Sequence, residues 1–170
     1  ITPARTPQVA PGRPGNTPLA HAPMPHQPEY GTSHISIVDR FGNALAMTTT
    51  IEAGFGARLM VNTGAGRSGG FLLNNQLTDF SFSPRDTQGV AIANRVEPGK
   101  RPRSSMSPTL VFDQGTGELL MSAGSPGGAL IIHFTAKTLL GALGGGLAPQ
   151  PAIELPNFGT LGGPVMLEAG

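Results

Sequence analysis

The sequence predicts an α+β domain, rich in β-hairpins, standing behind a proline-rich leader. Three observations lead there. Residues 1–31 hold eight of the 17 prolines and almost no aliphatic clusters, so that stretch cannot bury enough apolar surface to offset the entropy of ordering. From Ser33 onward, alternating apolar and polar residues separated by turn chemistry mark strands. One apolar run, 129–143, has the length and content of a helix.

The bulk properties bound the class. A chain of 170 residues is long enough for one domain with a sizeable core. Only 12% of residues are charged, which fits a subunit with a face covered by a partner. A net charge of +1 argues against a dedicated nucleic-acid binder. No apolar run is long enough to span a bilayer, and the absence of cysteine excludes disulfides and thiol chemistry. The sequence starts at Ile1 without a signal peptide and stops at Gly170 without a terminator-like ending, so it reads as a fragment of a longer product.

The elements follow in order. The leader, 1–31, reads as a flexible or polyproline-like linker. Its two histidines, His21 and His26, read as solvated polar residues rather than a metal site. His34–Asp39 alternates as a strand, Arg40-Phe41-Gly42-Asn43 turns the chain, and Ala44–Thr50 returns. That hairpin sets Thr32 at one strand end beside the triplet Thr48-Thr49-Thr50. Leu59–Val61 is a short strand, 64–70 a glycine-rich loop, and Phe71–Gln76 a strand ending in amides. Residues 83–107 read as polar loop. Thr109–Phe112 and Leu119–Ser122 form a second hairpin. Ala129–Leu143 is predicted to be a largely buried helix, stopped by Gly144-Gly145-Gly146. The remainder reads as loop or a short helical piece.

Thr32 carries the first candidate chemistry. It follows Gly31, whose carbonyl no side chain shields, and a leader that leaves without cost to a core. Attack of its hydroxyl on that carbonyl, followed by hydrolysis, would free an α-amine with an unperturbed pKa of about 7.7–8.0, suited to act as base. Nucleophile and base would then sit on one residue. The bland alternative is an ordinary strand-entry threonine.

Three further groups stand out. Gly127 and Gly128, in Gly124-Ser125-Pro126-Gly127-Gly128, offer bare N–H groups at a helix start. They suit an oxyanion hole, or a phosphate without the P-loop lysine, or a simple turn. Asn74-Asn75-Gln76, Asp79 and Ser104-Ser105 supply groups for a zwitterion, with Asp79 for an ammonium and hydroxyls for a carboxylate; singly, each also serves as a turn or cap. Lys100-Arg101-Pro102-Arg103 reads as a solvated or subunit-facing loop. His133 reads as a satisfied core histidine, and His34 faces the Thr32 region with no base role required of it.

In this order, Thr32-Ser33-His34, Val38-Asp39, Gly42-Asn43, Thr48-Thr49-Thr50, Phe55-Gly56, Leu72–Gln76 with Asp79-Phe80, Lys100-Arg101-Pro102 with Ser104–Thr109, and Gly124–Gly128 resemble the small catalytic subunit of γ-glutamyltranspeptidases. These are N-terminal-nucleophile hydrolases, and the likeness runs from about Thr32 to Phe158. The resemblance implies a four-layer αββα sandwich with two antiparallel sheets between helices. It divides the chain into 1–31, the end of a large-subunit region, and 32–170, a catalytic small-subunit domain lacking its final strands. It implies cleavage between Gly31 and Thr32, Thr32 as nucleophile, Thr50 tuning its hydroxyl, and Gly127 and Gly128 as oxyanion donors. Gln76 and Asp79 would hold the substrate α-amino group, and Ser104 and Ser105 its α-carboxylate. Glu52 stands where the family often has Asn, and its carboxylate also suits an ammonium.

The implied reaction is attack on a γ-glutamyl amide such as glutathione, giving a glutamyl-Thr32 ester. The acyl group then passes to water or to an amino-acid or peptide amine. No metal or organic cofactor is implied. The implied partner is the large subunit of the same precursor, forming a heterodimer and supplying an arginine to the substrate carboxylate that nothing in this chain replaces. Bacterial members place such an enzyme in the periplasm or outside the cell. The Thr48-Thr49-Thr50-Ile51-Glu52 run also resembles relatives that cleave poly-γ-glutamate or act as cephalosporin (glutaryl) acylases, and a non-catalytic module retaining the fold is the third reading.

Overall fold

The fold was analysed in a computed structural model, which describes residues 31–62, 64 and 69–169. The leader with His21 and His26, and most of the glycine-rich loop at 64–70, lie outside the described residues. The α+β expectation is met. Two long strands, β1 (Thr32–Val38) and β2 (Ala44–Thr50), pair antiparallel with Thr32 opposite Thr50, His34 opposite Thr48 and Ile35 opposite Met47. Asp39 fastens the turn between them: its carboxylate accepts the N–H groups of Phe41 and Asn43 at 2.8 and 2.9 Å. Short strands β3 (Met60–Asn62) and β4 (Gly70–Leu72) form a second ladder. The third joins β5 (Thr109–Phe112) to β6 (Leu119–Ala123), with a register shift at Val111/Phe112. Among the described residues each ladder is two-stranded.

The strand after β3 is shorter than its sequence predicts. Asn74 and Asn75 leave the ladder: Asn74 Oδ1 accepts the Gln76 N–H at 3.0 Å, Asn75 Nδ2 donates to Thr78 Oγ1 at 3.1 Å, and Gln76–Asp79 winds into a 3₁₀ turn. The predicted helix forms as one helical run with a changing pitch: a 3₁₀ turn Gly128–Leu130, then α1 (Ile131–Leu139), then a π turn Leu140–Gly144. It is not largely buried. Ile131 and Thr135 are, but Ile132, Leu140 and Leu143 are exposed, because the described chain packs on one side only, through α2 (Pro149–Glu154), β6 and the Phe158–Gly159 segment. The tail adds a ladder that composition did not announce, β7 (Phe158–Gly159) with β8 (Met166–Leu167).

His133 also departs from expectation. Its Nε2 accepts the Thr160 N–H at 3.4 Å, while its buried Nδ1 has no partner among the described residues.

The core is small. Among the described residues its apolar members are Phe80, Ile92, Ala123, Ile131 and Ala152. Ile92 is fully enclosed inside the irregular segment after the 3₁₀ turn, where its N–H reaches the Pro84 carbonyl at 3.0 Å. The first hairpin shows an inverted arrangement. Strand alternation puts Thr32, His34 and Ser36 on one face with Thr50, Thr48 and Ala46. That polar face turns inward to β6, with Ser122 Oγ 3.0 Å from Ser36 Oγ and 3.3 Å from the Leu45 carbonyl oxygen. Ile35, Ile37, Leu45 and Met47 lie on the other face and are exposed.

Candidate active site

The register of the first hairpin builds the centre of the site. Because Thr32 stands directly opposite Thr50, their side chains meet, and Thr32 Oγ1 donates to Thr50 Oγ1 at 2.9 Å. Thr50 Oγ1 also accepts the Glu52 N–H at 2.9 Å. That second bond turns the chain sharply, and Glu52 takes φ 71, a left-handed conformation uncommon for a residue with a side chain. Glu52 is only 5% exposed.

Gly31 packs into the same turn. Its carbonyl accepts the Ile51 N–H at 3.4 Å. A Cβ on Gly31 would lie 2.8 Å from the Ala53 carbonyl oxygen and 2.9 Å from that of Glu52, so close approach requires glycine there.

Asn75 joins this turn to the 3₁₀ segment. Its Oδ1 accepts the Ala53 N–H at 3.0 Å, and its Nδ2 donates to a Glu52 carboxylate oxygen and to Thr78 Oγ1. One turn further, Gln76 Nε2 donates to Asp79 Oδ2. Asp79 is 9% exposed. Burial pushes its carboxyl above the usual range and the Glu52 carboxylate adds to this, while the Gln76 amide and the Arg103 guanidinium pull the other way.

These residues line one pocket. Thr32, Thr50, Glu52, Gln76, Asp79, Ser104, Ser105 and Gly128 all contribute, as do Arg103, Met106, Ala129 and Ile131. Gly127 stands one residue behind the lining, and Gly31 one residue before it. Gly127 (φ 134) and Gly128 (φ 58) both adopt left-handed conformations that strongly favour glycine. They open the helical run, where backbone N–H groups lack intrahelical acceptors. The site therefore offers a hydroxyl nucleophile, backbone donors for a developing oxyanion, and charges of both signs.

Three features were not read from the sequence. Arg103 lines the pocket while staying exposed, as the solvated-loop reading expects; its position directly before Ser104-Ser105 was the available signal. Asn75 acts as a latch rather than a ligand. His34 packs against Gly124, placing its ring where a Cβ at position 124 would come within 2.2 Å. Its Nδ1 lies 2.9 Å from Thr48 Oγ1 and its Nε2 3.1 Å from Ser36 Oγ. Burial lowers its pKa, which favours the neutral ring. Among the described residues no group of three or more His, Asp or Glu is placed to hold a metal, and no helix is long and apolar enough to cross a membrane.

Comparison with known proteins agrees with this geometry. The chain is 40% identical over 129 residues to a glutathione hydrolase proenzyme of Bacillus subtilis subsp. natto, covering 76% of this chain and 20% of that protein. It is 41% identical over 131 residues to the Escherichia coli K12 glutathione hydrolase proenzyme, covering 75% and 21%. It thus spans about a fifth of the length of these relatives. In structure it is similar to the Helicobacter pylori gamma-glutamyltranspeptidase, with TM-score 0.62 and 36% identity over 76% of this chain and 68% of that one. A Bacillus anthracis transpeptidase aligns with TM-score 0.56 and 28% identity over 81% and 66%. The gamma-glutamyltranspeptidase family model matches residues 2–168. With nearly every residue inside that match, and the same fold in solved members, the chain belongs to the gamma-glutamyltranspeptidase family.

Proposed function

We propose that this chain is the catalytic portion of a γ-glutamyltransferase and glutathione hydrolase, with Thr32 as the nucleophile. The observation that carries this reading is the 2.9 Å bond between the Thr32 and Thr50 hydroxyls at a pocket lined by Gln76, Asp79, Ser104 and Ser105. In maturation, Thr32 Oγ1 attacks the Gly31 carbonyl carbon and the Gly31–Thr32 C–N bond breaks, its nitrogen taking up the hydroxyl proton. Water hydrolyses the resulting ester, leaving a Gly31 carboxylate and a free Thr32 amine. That amine then removes the hydroxyl proton as Thr32 Oγ1 attacks a γ-glutamyl carbonyl carbon.

Gly127 and Gly128 receive the oxyanion through their N–H groups. The leaving amine takes the proton, and the glutamyl-Thr32 ester passes to water or to an amino-acid or peptide amine. Asp79 and Gln76, with Glu52, hold the substrate α-ammonium; Ser104 and Ser105 hold its α-carboxylate. The relatives' name, glutathione hydrolase, supports glutathione as a donor. No step in this reading needs a metal or organic cofactor. Residues 32–170 act as the small-subunit domain and 1–31 as the end of the large-subunit region. The exposed Ile35, Ile37, Leu45 and Met47 face supports a large-subunit partner.

Intact-mass measurement and turnover of matched anilides test this. A product beginning at Thr32, absent in Thr32→Ala, together with faster turnover of γ-glutamyl than glutaryl anilide, is expected. Equal or faster glutaryl turnover transfers the assignment to an acylase, since that substrate lacks the amine that Asp79 would hold. Undiminished activity in Thr32→Ala refutes the nucleophile.

A further inference from the structure

The peptide unit between Pro126 and Gly127 is held at both ends. At one end the Pro126 carbonyl accepts the Ser125 hydroxyl at 2.6 Å. At the other, Gly127 stands at φ 134 and ψ 18, a conformation that glycine enters without steric cost but has no local reason to keep. The Gly127 carbonyl accepts the Leu130 N–H at 3.1 Å, while its own N–H meets no acceptor among the described residues. The Phe134 ring, on α1, closes the remaining side. A Cβ on Gly127 would lie 2.5 Å from Phe134 Cε2 and 2.7 Å from Cδ2, so the ring edge stands against the Gly127 Cα. A shift of Gly127 toward α1 meets that ring. Phe134 does not line the pocket that holds Thr32. With Leu130, Phe158, Met166 and Leu167 it lines a separate, open apolar cleft of about 230 Å³.

We propose that Phe134 is a positioning residue for the Gly127 N–H, wedging it in the orientation that receives the oxyanion. This rests on the function proposed above, which makes that N–H an oxyanion donor, and adds the side chain that keeps it aimed. The ring touches neither substrate nor Thr32. A donor lowers the barrier most when it does not have to reorient as negative charge develops on the γ-glutamyl carbonyl oxygen. That charge is absent from the bound substrate, so the contribution of Phe134 falls on kcat and leaves substrate binding alone. A small side chain at position 134 leaves the Gly127 Cα bordering the open cleft, with only the two hydrogen bonds to hold its peptide unit.

The test uses the assembled enzyme with γ-glutamyl anilide, with L-glutamate as a ground-state competitor, and with a donor analogue carrying a boronate in place of the γ-carbonyl group, which takes the Thr32 oxygen to form a tetrahedral anion. Phe134→Ala should lower kcat roughly ten- to hundredfold with KM within about twofold, and weaken the boronate by a factor similar to that on kcat. L-Glutamate should bind as it does to wild type, which also reports an intact pocket. Phe134→Tyr keeps the ring and should hold kcat and boronate binding within about threefold of wild type. If Phe134→Ala fails to assemble, Phe134→Leu, which keeps most of the volume without the flat edge, carries the same comparison with the same signs. Unchanged kcat and boronate binding in the Ala or Leu variant, equal losses of L-glutamate and boronate binding, or a Phe134→Tyr enzyme as slow as Phe134→Ala overturns the proposal. If wild type turns over γ-glutamyl anilide, such a result refutes this inference alone. A wild-type enzyme without that turnover refutes the function proposed above and this inference with it.

Discussion

Asn75 holds Glu52 by its side chain and by its neighbour: the amide donates to the Glu52 carboxylate while Oδ1 accepts the Ala53 N–H at 3.0 Å. This clamps the left-handed turn that follows Thr50 onto the segment carrying Gln76 and Asp79. Asn75→Ala leaves a backbone donor and a buried carboxylate without their partner, and should cost about 1–3 kcal/mol of stability. Because the acidic side of the pocket loses its aim, KM for γ-glutamyl anilide should rise more than kcat falls. Denaturant unfolding and steady-state kinetics check both; an unchanged KM removes Asn75 from the positioning of the site.

Thr50 accepts two hydrogen bonds through one oxygen, from Thr32 Oγ1 and from the Glu52 N–H. Thr50→Val preserves the shape and removes both. It should lower kcat roughly ten- to hundredfold, the equivalent of a hydrogen bond made at the nucleophile. It should also slow appearance of the product starting at Thr32, followed by gel or mass. Equal rates in the variant would show that the hydroxyl pair is incidental.

The His34 ring fills the space a side chain at position 124 would need. Gly124→Ala should destabilise by about 1–3 kcal/mol through overpacking, and it should displace the segment leading to Gly127 and Gly128. Pairing it with His34→Ser removes the clash. The double variant should be more stable than Gly124→Ala alone, giving a coupling energy in a double-mutant cycle. Additive effects would contradict direct contact.

Asp79 is pushed up by burial and by Glu52. A carboxyl raised in the folded state binds its proton more tightly than the unfolded chain does. Its stabilising contribution is therefore full below the ordinary carboxylate value and is lost as pH rises through the raised folded value. Asp79→Asn escapes that loss. Its Tm should exceed wild type at neutral pH, and the difference should shrink as pH falls below the ordinary range. γ-Glutamyl turnover should fall in the same variant, separating stability from function. Tm curves that run parallel at all pH values would show that Asp79 is not perturbed.

Lys137, 6% exposed, points its ammonium at two carbonyls at the end of α2, Ile153 O and Leu155 O, both at 2.7 Å. Lys137→Met fills similar volume and leaves both acceptors without this donor. Stability should fall by about 1–3 kcal/mol, with kinetic constants at 25 °C unchanged, since Lys137 does not line the pocket. Thermal unfolding beside a γ-glutamyl assay measures the two effects.

The pairing of Thr32 with Thr50 was legible because it depends on local pattern. Alternation and the Gly42-Asn43 turn fix the first hairpin, and its register alone brings Thr32 to Thr50. The amide–acid segment and the Gly127–Gly128 pair were legible as motifs, and the pocket brings Gln76, Asp79 and Gly128 together. What escaped was set by long-range packing. Asn75 looked like one of several amides, and only its bonds to Glu52 and Ala53, more than twenty residues earlier, make it a latch. Arg103 looked like part of a basic run; Asn94, bonded to the Arg103 N–H and to the Asp79 carbonyl, brings its backbone beside the acidic segment. The exposed half of α1 escaped because apolar content does not reveal which face finds a neighbour within the described chain.

The first hairpin wears its oily side outward and its hydroxyls inward. Anything that docks on Ile35, Ile37, Leu45 and Met47 would brace Thr32 and Thr50 from behind without entering the chamber where they meet. The proposed support and the proposed reaction would then fall on opposite surfaces of the same two strands. If the proposed partner docks there, that outer surface can change with it while the inner hydroxyls stay constant, and a lesion on the outer face would loosen Thr32 rather than remove it.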